Sequence, residues 1–210
     1  SIRAFSEILM DGDQMERADR QKYSTIIHDE TLRLTRLLDD LLDLSVLENG
    51  QVTLNARDAT LGEVLDRALA AIESRAEPGM LKIVREKGAG AISLYTDADR
   101  LAQVFINVVS NAQKYCDADA PELTISIIEA DETVSVAFVD NGSGIPKKSQ
   151  TLIFEKFARL TDQRAAGGAG LGLAICREIM ARLGGDISYV PGQGGAAFRV
   201  TLPKAHRAAA

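Results

Sequence analysis

Asp140-Asn141-Gly142-Ser143-Gly144-Ile145 follows the apolar run Val134–Val139 and sets one carboxylate beside a glycine turn. An ionised carboxylate only accepts hydrogen bonds, so at the end of a strand it suits the exocyclic amine of adenine. Gly142 and Gly144 allow positive φ and let the backbone approach a flat ring. Asp-Asn-Gly is equally a good turn sequence, and both readings stand at this point.

Further along, Gly167-Gly168-Ala169-Gly170-Leu171-Gly172-Leu173 opens an apolar helical pattern ending at Gly184-Gly185. Amides at a helix N-terminus suit phosphate. The spacing is not that of a Rossmann fingerprint, and no Gly-Lys-Ser/Thr marks a P-loop. Between the glycine segments lies Ile153-Phe154-Glu155-Lys156-Phe157-Ala158-Arg159, whose phenylalanines suit pinning a loop to a core.

Upstream, a helix is predicted over Asp97–Tyr115, with Leu101, Val104, Phe105, Val108 and Ala112 as its core face. Gln103, Asn107 and Asn111 follow at i+4 steps and Lys114 comes three later, so these side chains share a face. Amide oxygens can serve magnesium without adding charge beside a triphosphate, and Lys114 can meet phosphate oxygens. A solvated helix face explains the same spacing.

In this order the four segments resemble the ATP-binding domain of the sensor histidine kinases of two-component systems. Asn107-x-x-x-Asn111-Ala112-x-Lys114-Tyr115 is similar to that family's N box. Asp140, Gly142, Gly144 and Ile145 match its first glycine box, Phe154–Phe157 its F box, and Gly168, Gly170, Leu171, Gly172 and Leu173 its second glycine box. The resemblance implies ATP and Mg2+ as cofactors. It implies Asn107 and Asn111 jointly as metal ligands, and Lys114, Tyr115, Asp140, Phe157 and both glycine boxes as nucleotide contacts. Asn107, Asn111 and Arg159 are the expected catalytic residues. Arg159 and Arg164 both lie in the implied ATP lid, Arg159 being the better placed to neutralise the γ-phosphate.

Residues 1–50 read as helix, loop, helix. Ile2, Phe5 and Leu9 precede the break at Asp11-Gly12-Asp13, and a second helix runs from Asp19 to Asn49, with Gly50 beyond it. Ile27, Leu34 and Leu41, and also Leu37 and Leu44, recur every seven residues, while Leu38 and Leu42 widen the stripe. That face is too broad for one hairpin to bury, which points to a bundle with a second copy. The resemblance makes this segment the dimerisation and phosphotransfer hairpin. The chain starts at Ser1 without Met and reads as a fragment, with the phospho-acceptor histidine expected just before Ser1. His28 resembles a residue of the second bundle helix, not the acceptor, and His206 sits in a tail.

From residue 51 the texture changes. Strands are expected at Val52–Thr60, Lys82–Arg85, Ile92–Tyr95, Leu123–Ile128, Val134–Val139, Ile187–Val190 and Ala196–Leu202, with helices at Leu61–Arg75, Asp97–Tyr115 and Leu171–Leu183. The fold class is therefore α+β. An antiparallel hairpin, part of a dimeric four-helix bundle (1–50), precedes a two-layer α/β sandwich (51–205), which the resemblance makes an ATP-binding domain of the Bergerat type. Residues 206–210 form a tail.

The net charge of −6 argues against general nucleic-acid or anionic-membrane binding. No apolar run reaches the ~20 residues that span a bilayer, so no membrane contact is expected of this segment. Cys116 and Cys176 lie far apart and suit reduced packing thiols in a cytoplasmic protein. The implied activity is transfer of the ATP γ-phosphoryl group to a histidine, then to an aspartate of a response-regulator receiver domain. A related ATPase driving clamp closure and a non-catalytic dimeric docking module are the alternatives.

Overall fold

The computed structural model describes residues 2–11, 15–49, 53–74, 81–86, 91–158 and 169–204. The expected break at Gly12-Asp13, the helix stop at Gly50 and the tail beyond 205 lie outside them. The chain divides into two compact units, Ser1–Ser45 and Val46–Ala210.

The first unit holds α1 (Ile2–Asp11) and most of α2 (Arg17–Glu48). The rings of Phe5 and Tyr23 stack with centroids 5.4 Å apart. Leu34, Leu38, Leu41 and Leu42 stand exposed along α2.

The second unit is a mixed sheet of five strands in the order β2-β4-β5-β7-β6, with a separate two-stranded sheet, β1-β3. The strands are β1 (Arg57–Thr60), β2 (Lys82–Arg85), β3 (Ser93–Thr96), β4 (Glu122–Glu129), β5 (Thr133–Asp140), β6 (Asp186–Tyr189) and β7 (Ala197–Pro203). Among the described residues of this sheet β2–β4 is parallel, and β4–β5, β5–β7 and β6–β7 are antiparallel. The strand expected over 52–60 is shorter: residues 53–56 are irregular and β1 begins at Arg57. Its partner β3 supplies only four residues of ladder. The irregular stretch is bonded instead by the Asn55 N–H, which donates to Asp97 Oδ2 at 2.9 Å.

Three helices, α3 (Leu61–Glu73), α4 (Ala98–Tyr115) and α5 (Gly172–Arg182), pack side by side, α3 on α4 and α4 on α5. Thr60 and Glu63 form a capping box at the start of α3, and Leu61, Val64, Leu65, Ala68 and Ile72 bury its inner face. Asp97 caps α4 by accepting from the Asp99 and Arg100 N–H groups, both at 3.1 Å.

The period-2 pattern of β5 decides where its last residue faces. Val134, Val136 and Phe138 are buried, and Asp140 falls next on the same face. Phe105 of α4 meets Phe138 with ring centroids 5.5 Å apart. From that contact Asn111 lies six residues on, about 9 Å along the helix axis, and Asp140 two residues on, about 7 Å along the strand.

Candidate nucleotide site

Asp140 is 8 % exposed. Its Oδ1 accepts from the Gly142 N–H at 3.0 Å and the Ala196 N–H at 2.8 Å. Among the described residues both protein donors fall on Oδ1, so the carboxylate is oriented and keeps acceptor capacity on Oδ2. Gly195 belongs to this wall: a Cβ there would collide with the Asp140 carbonyl. In the sequence Gly192–Gly195 reads only as a turn, because its contact with Asp140 is made just beyond the end of the β5–β7 ladder.

The glycine turn is held from two sides. Gly144 has φ +76, and a Cβ there would stand 3.1 Å from the Gly195 carbonyl oxygen. The Ile145 N–H donates to the Tyr189 hydroxyl at 3.3 Å, and Gln150 Nε2 donates to the Ile145 carbonyl at 2.8 Å. Asn141 is bonded to the segment after α4. Its Oδ1 accepts from the Glu122 N–H at 2.8 Å and the Cys116 thiol at 3.2 Å, and its Nδ2 donates to the Ala120 carbonyl at 2.9 Å. Asp117 Oδ1 accepts the Ser143 N–H at 2.7 Å.

Asn107 of α4 faces the start of α5, where its Nδ2 donates to the Gly172 carbonyl at 3.4 Å. Burial pushes the neighbouring Cys176 thiol up to about 12, against a smaller lowering by the Asn107 side chain. Asn111 and Tyr115 are half-buried, and Lys114 is exposed. Leu171 is fully buried and Leu173 is half-buried. The Gly172, Leu173 and Ala174 N–H groups open α5 with no side-chain cap.

Phe154 is a loop anchor, edge-on to Phe198 with centroids 6.4 Å apart. Phe157 is not: it is 59 % exposed and has φ +61. Gly170, at φ +71, passes so close that a Cβ would stand 2.6 Å from the Ala158 carbonyl oxygen and 2.8 Å from the Phe157 carbonyl carbon. That backbone approach turns the Phe157 ring outward. Arg159, Arg164, Gly167 and Gly168 lie outside the described residues.

The segments named in the sequence thus converge on α4. Its exit is bonded to the Asp140 turn, its middle to the start of α5, and the F box end lies against Gly170. The model of one protein family, described as the histidine kinase-, DNA gyrase B- and HSP90-like ATPase, matches residues 96–206. The chain belongs to this ATPase family. It is 35% identical over 201 residues to the sensor protein KdpD of Escherichia coli K12, covering 95% of this chain and 22% of KdpD. The chain therefore spans about a fifth of that relative's length. Among solved structures it is similar to the Acinetobacter baumannii histidine kinase AdeS, with a TM-score of 0.74 and 25% identity over 98% of this chain and 94% of that one. The fold is shared with the histidine kinase ThkA, solved in complex with the response regulator TrrA, at a TM-score of 0.75 and 24% identity over 97% and 59% of the two chains. Within the ATPase family the sensor histidine kinases are thus its relatives, and the α+β ATP-binding fold is theirs. No helix among the described residues is long and apolar enough to cross a membrane.

Proposed function

We propose that this chain is the kinase core of a two-component sensor. Residues 51–205 bind Mg-ATP, and residues 1–50 form the dimerisation and phosphotransfer hairpin of a cytoplasmic assembly. The observation that carries the reading is the joining of α4 and the segment just after it to both glycine segments, through Asn107 to Gly172 and through Asp117 to Ser143.

The donor set suits a magnesium nucleotide. Asn107 and Asn111 are neutral oxygen donors one helical turn apart, suited to a hard cation that keeps several waters. Asp140 keeps acceptor capacity for the adenine amine. The first amides of α5 and the Lys114 ammonium suit phosphate oxygens, and Arg159, by resemblance, neutralises the transferred group. Magnesium, when bound, offsets charge on the phosphates. The protein's part is to orient the base, exclude water and hold the γ-phosphoryl group for an incoming imidazole, since phosphoryl transfer depends on position and charge. Gly142, Gly144 and Ile145 shape the base wall, and Tyr115, by resemblance, contacts the nucleotide. Gly168, Gly170, Leu171, Gly172 and Leu173 shape the phosphate end, and Phe157 the lid.

The exposed Leu34, Leu38, Leu41 and Leu42 support a second copy as the partner of α2. The regulator held by ThkA supports a receiver domain as the recipient of the phosphoryl group. By this reading neither His28 nor His206 is the acceptor, so the chain binds ATP without labelling itself.

Calorimetric titration with Mg-ATP, followed by incubation with γ-labelled ATP, tests this. Binding is expected, with label passing only to an added hairpin that carries the acceptor histidine. No binding would favour a docking module. Label on His28 would refute the acceptor assignment, and hydrolysis without phosphohistidine would favour a clamp ATPase.

A further inference from the structure

Asp117 has no role in the motifs, yet its side chain bonds directly to the nucleotide turn. It stands two residues beyond Tyr115, just past Cys116, whose N–H closes α4 on the Ala112 carbonyl at 3.0 Å. Its Oδ1 accepts the Ser143 N–H at 2.7 Å. The same oxygen would lie 2.9 Å from a Cβ on Gly142, and the Gly142 N–H donates to Asp140 Oδ1 at 3.0 Å. One exposed carboxylate thus bears on both residues that follow Asn141 and limits where the turn can sit relative to Asp140. Asn141 reinforces the placement, since Cys116 and Ala120 both bond to its side chain. The Ser143 N–H, and after it the Ser143 side chain, holds the Asp117 carboxyl below the usual carboxylate range. Folding alone gives little reason for an acid here, because a solvent-exposed hydrogen bond adds little stability.

We propose that Asp117 is a positioning residue that locks the Gly142–Gly144 turn against Asp140 and thereby sets affinity for the adenine end of the nucleotide. The inference rests on the reading of Asp140 as the adenine acceptor. Its consequence is specific to the base. Loosening the turn weakens every ligand that carries adenine by one common factor, whatever its phosphate count, because α4 and α5 still meet the phosphates unchanged.

The test uses the whole chain and calorimetric titration with Mg-ATP, ADP and adenosine. The variants are Asp117→Ala and Asp117→Asn, the latter keeping an oxygen acceptor for Ser143. Asp117→Ala is expected to weaken all three ligands alike, by about fivefold or more. Asp117→Asn should recover most of that loss, with both variants melting close to the wild type. Wild-type affinity in Asp117→Ala would overturn the inference. So would a loss confined to the triphosphate, which would make Asp117 a charge effect, or a loss that Asp117→Asn does not rescue. Failure of the wild-type chain to bind any of the three would sink the nucleotide reading itself, a different outcome from binding that ignores Asp117.

Discussion

Asn107 Nδ2 donates to the Gly172 carbonyl at 3.4 Å, which ties the middle of α4 to the first turn of α5. The bond uses the donor end of the amide and leaves the Oδ1 end for a cation. Two segments 65 residues apart in the chain are joined by this one side chain.

Asn107→Ala should therefore separate metal use from folding. Loss of one part-buried neutral hydrogen bond costs about 1 kcal/mol, so the melting temperature should fall by only a few degrees. Affinity for Mg-ATP should drop about tenfold or more, and the difference between titrations with and without magnesium should shrink. An unchanged magnesium dependence would remove Asn107 from the metal site.

Asp140→Asn tests the base end. Asn Oδ1 can keep the Gly142 and Ala196 donors, but an NH2 group replaces the remaining acceptor and opposes the adenine amine. ATP affinity should fall at least about tenfold, with unfolding free energy lower by about 1–2 kcal/mol. Equal ATP binding by both proteins in a titration would refute the assignment.

Gly195→Ala and Gly194→Ala should differ in order. A Cβ on Gly195 meets the Asp140 carbonyl at the end of the β5–β7 ladder, whereas one on Gly194 meets nothing within 4 Å among the described residues and strains only a backbone at φ +85. Overpacking against backbone costs about 1–3 kcal/mol, and here the collision also displaces the acceptor. Gly195→Ala should lose both stability and ATP binding, and Gly194→Ala about 1 kcal/mol of stability alone. Urea unfolding with parallel titrations distinguishes them, and a reversed order would contradict the packing.

Cys176 makes a pH prediction. Burial raises its folded value to about 12, against a reference of 9.0. Because the folded value is the higher, its contribution to stability is complete below pH 9 and is lost as pH rises from there toward 12. Urea midpoints should fall across that alkaline window, and less steeply in Cys176→Ala. Alkylation of the native protein at pH 8 should modify half-buried Cys116 well before fully buried Cys176. Equal labelling would contradict the burial.

Much of this molecule is legible in local spacing. The i+4 amide stripe of α4 and the alternation of β5 that carries Asp140 to the buried face repeat at short intervals, and Gly144 takes the positive φ expected of it, whereas Gly142 does not. Helix and strand periods encode which face a residue occupies, and glycine encodes where other residues would strain. The order of the motifs adds the family.

Partners across the fold are another matter. Gly195 and Ala196 close on Asp140 from 55 and 56 residues away because β5 and β7 pair in one register, from Val139 with Ala197 back to Thr133 with Pro203. Asp117 reaches Ser143, and Phe154 reaches Phe198, through sheet and helix packing that no short window contains. Phe157, read as an anchor, is turned outward by the approach of Gly170. Periodicity assigns a side chain to a face, but which backbone stands opposite that face depends on strand register and helix packing, and these are set only when the whole chain is folded.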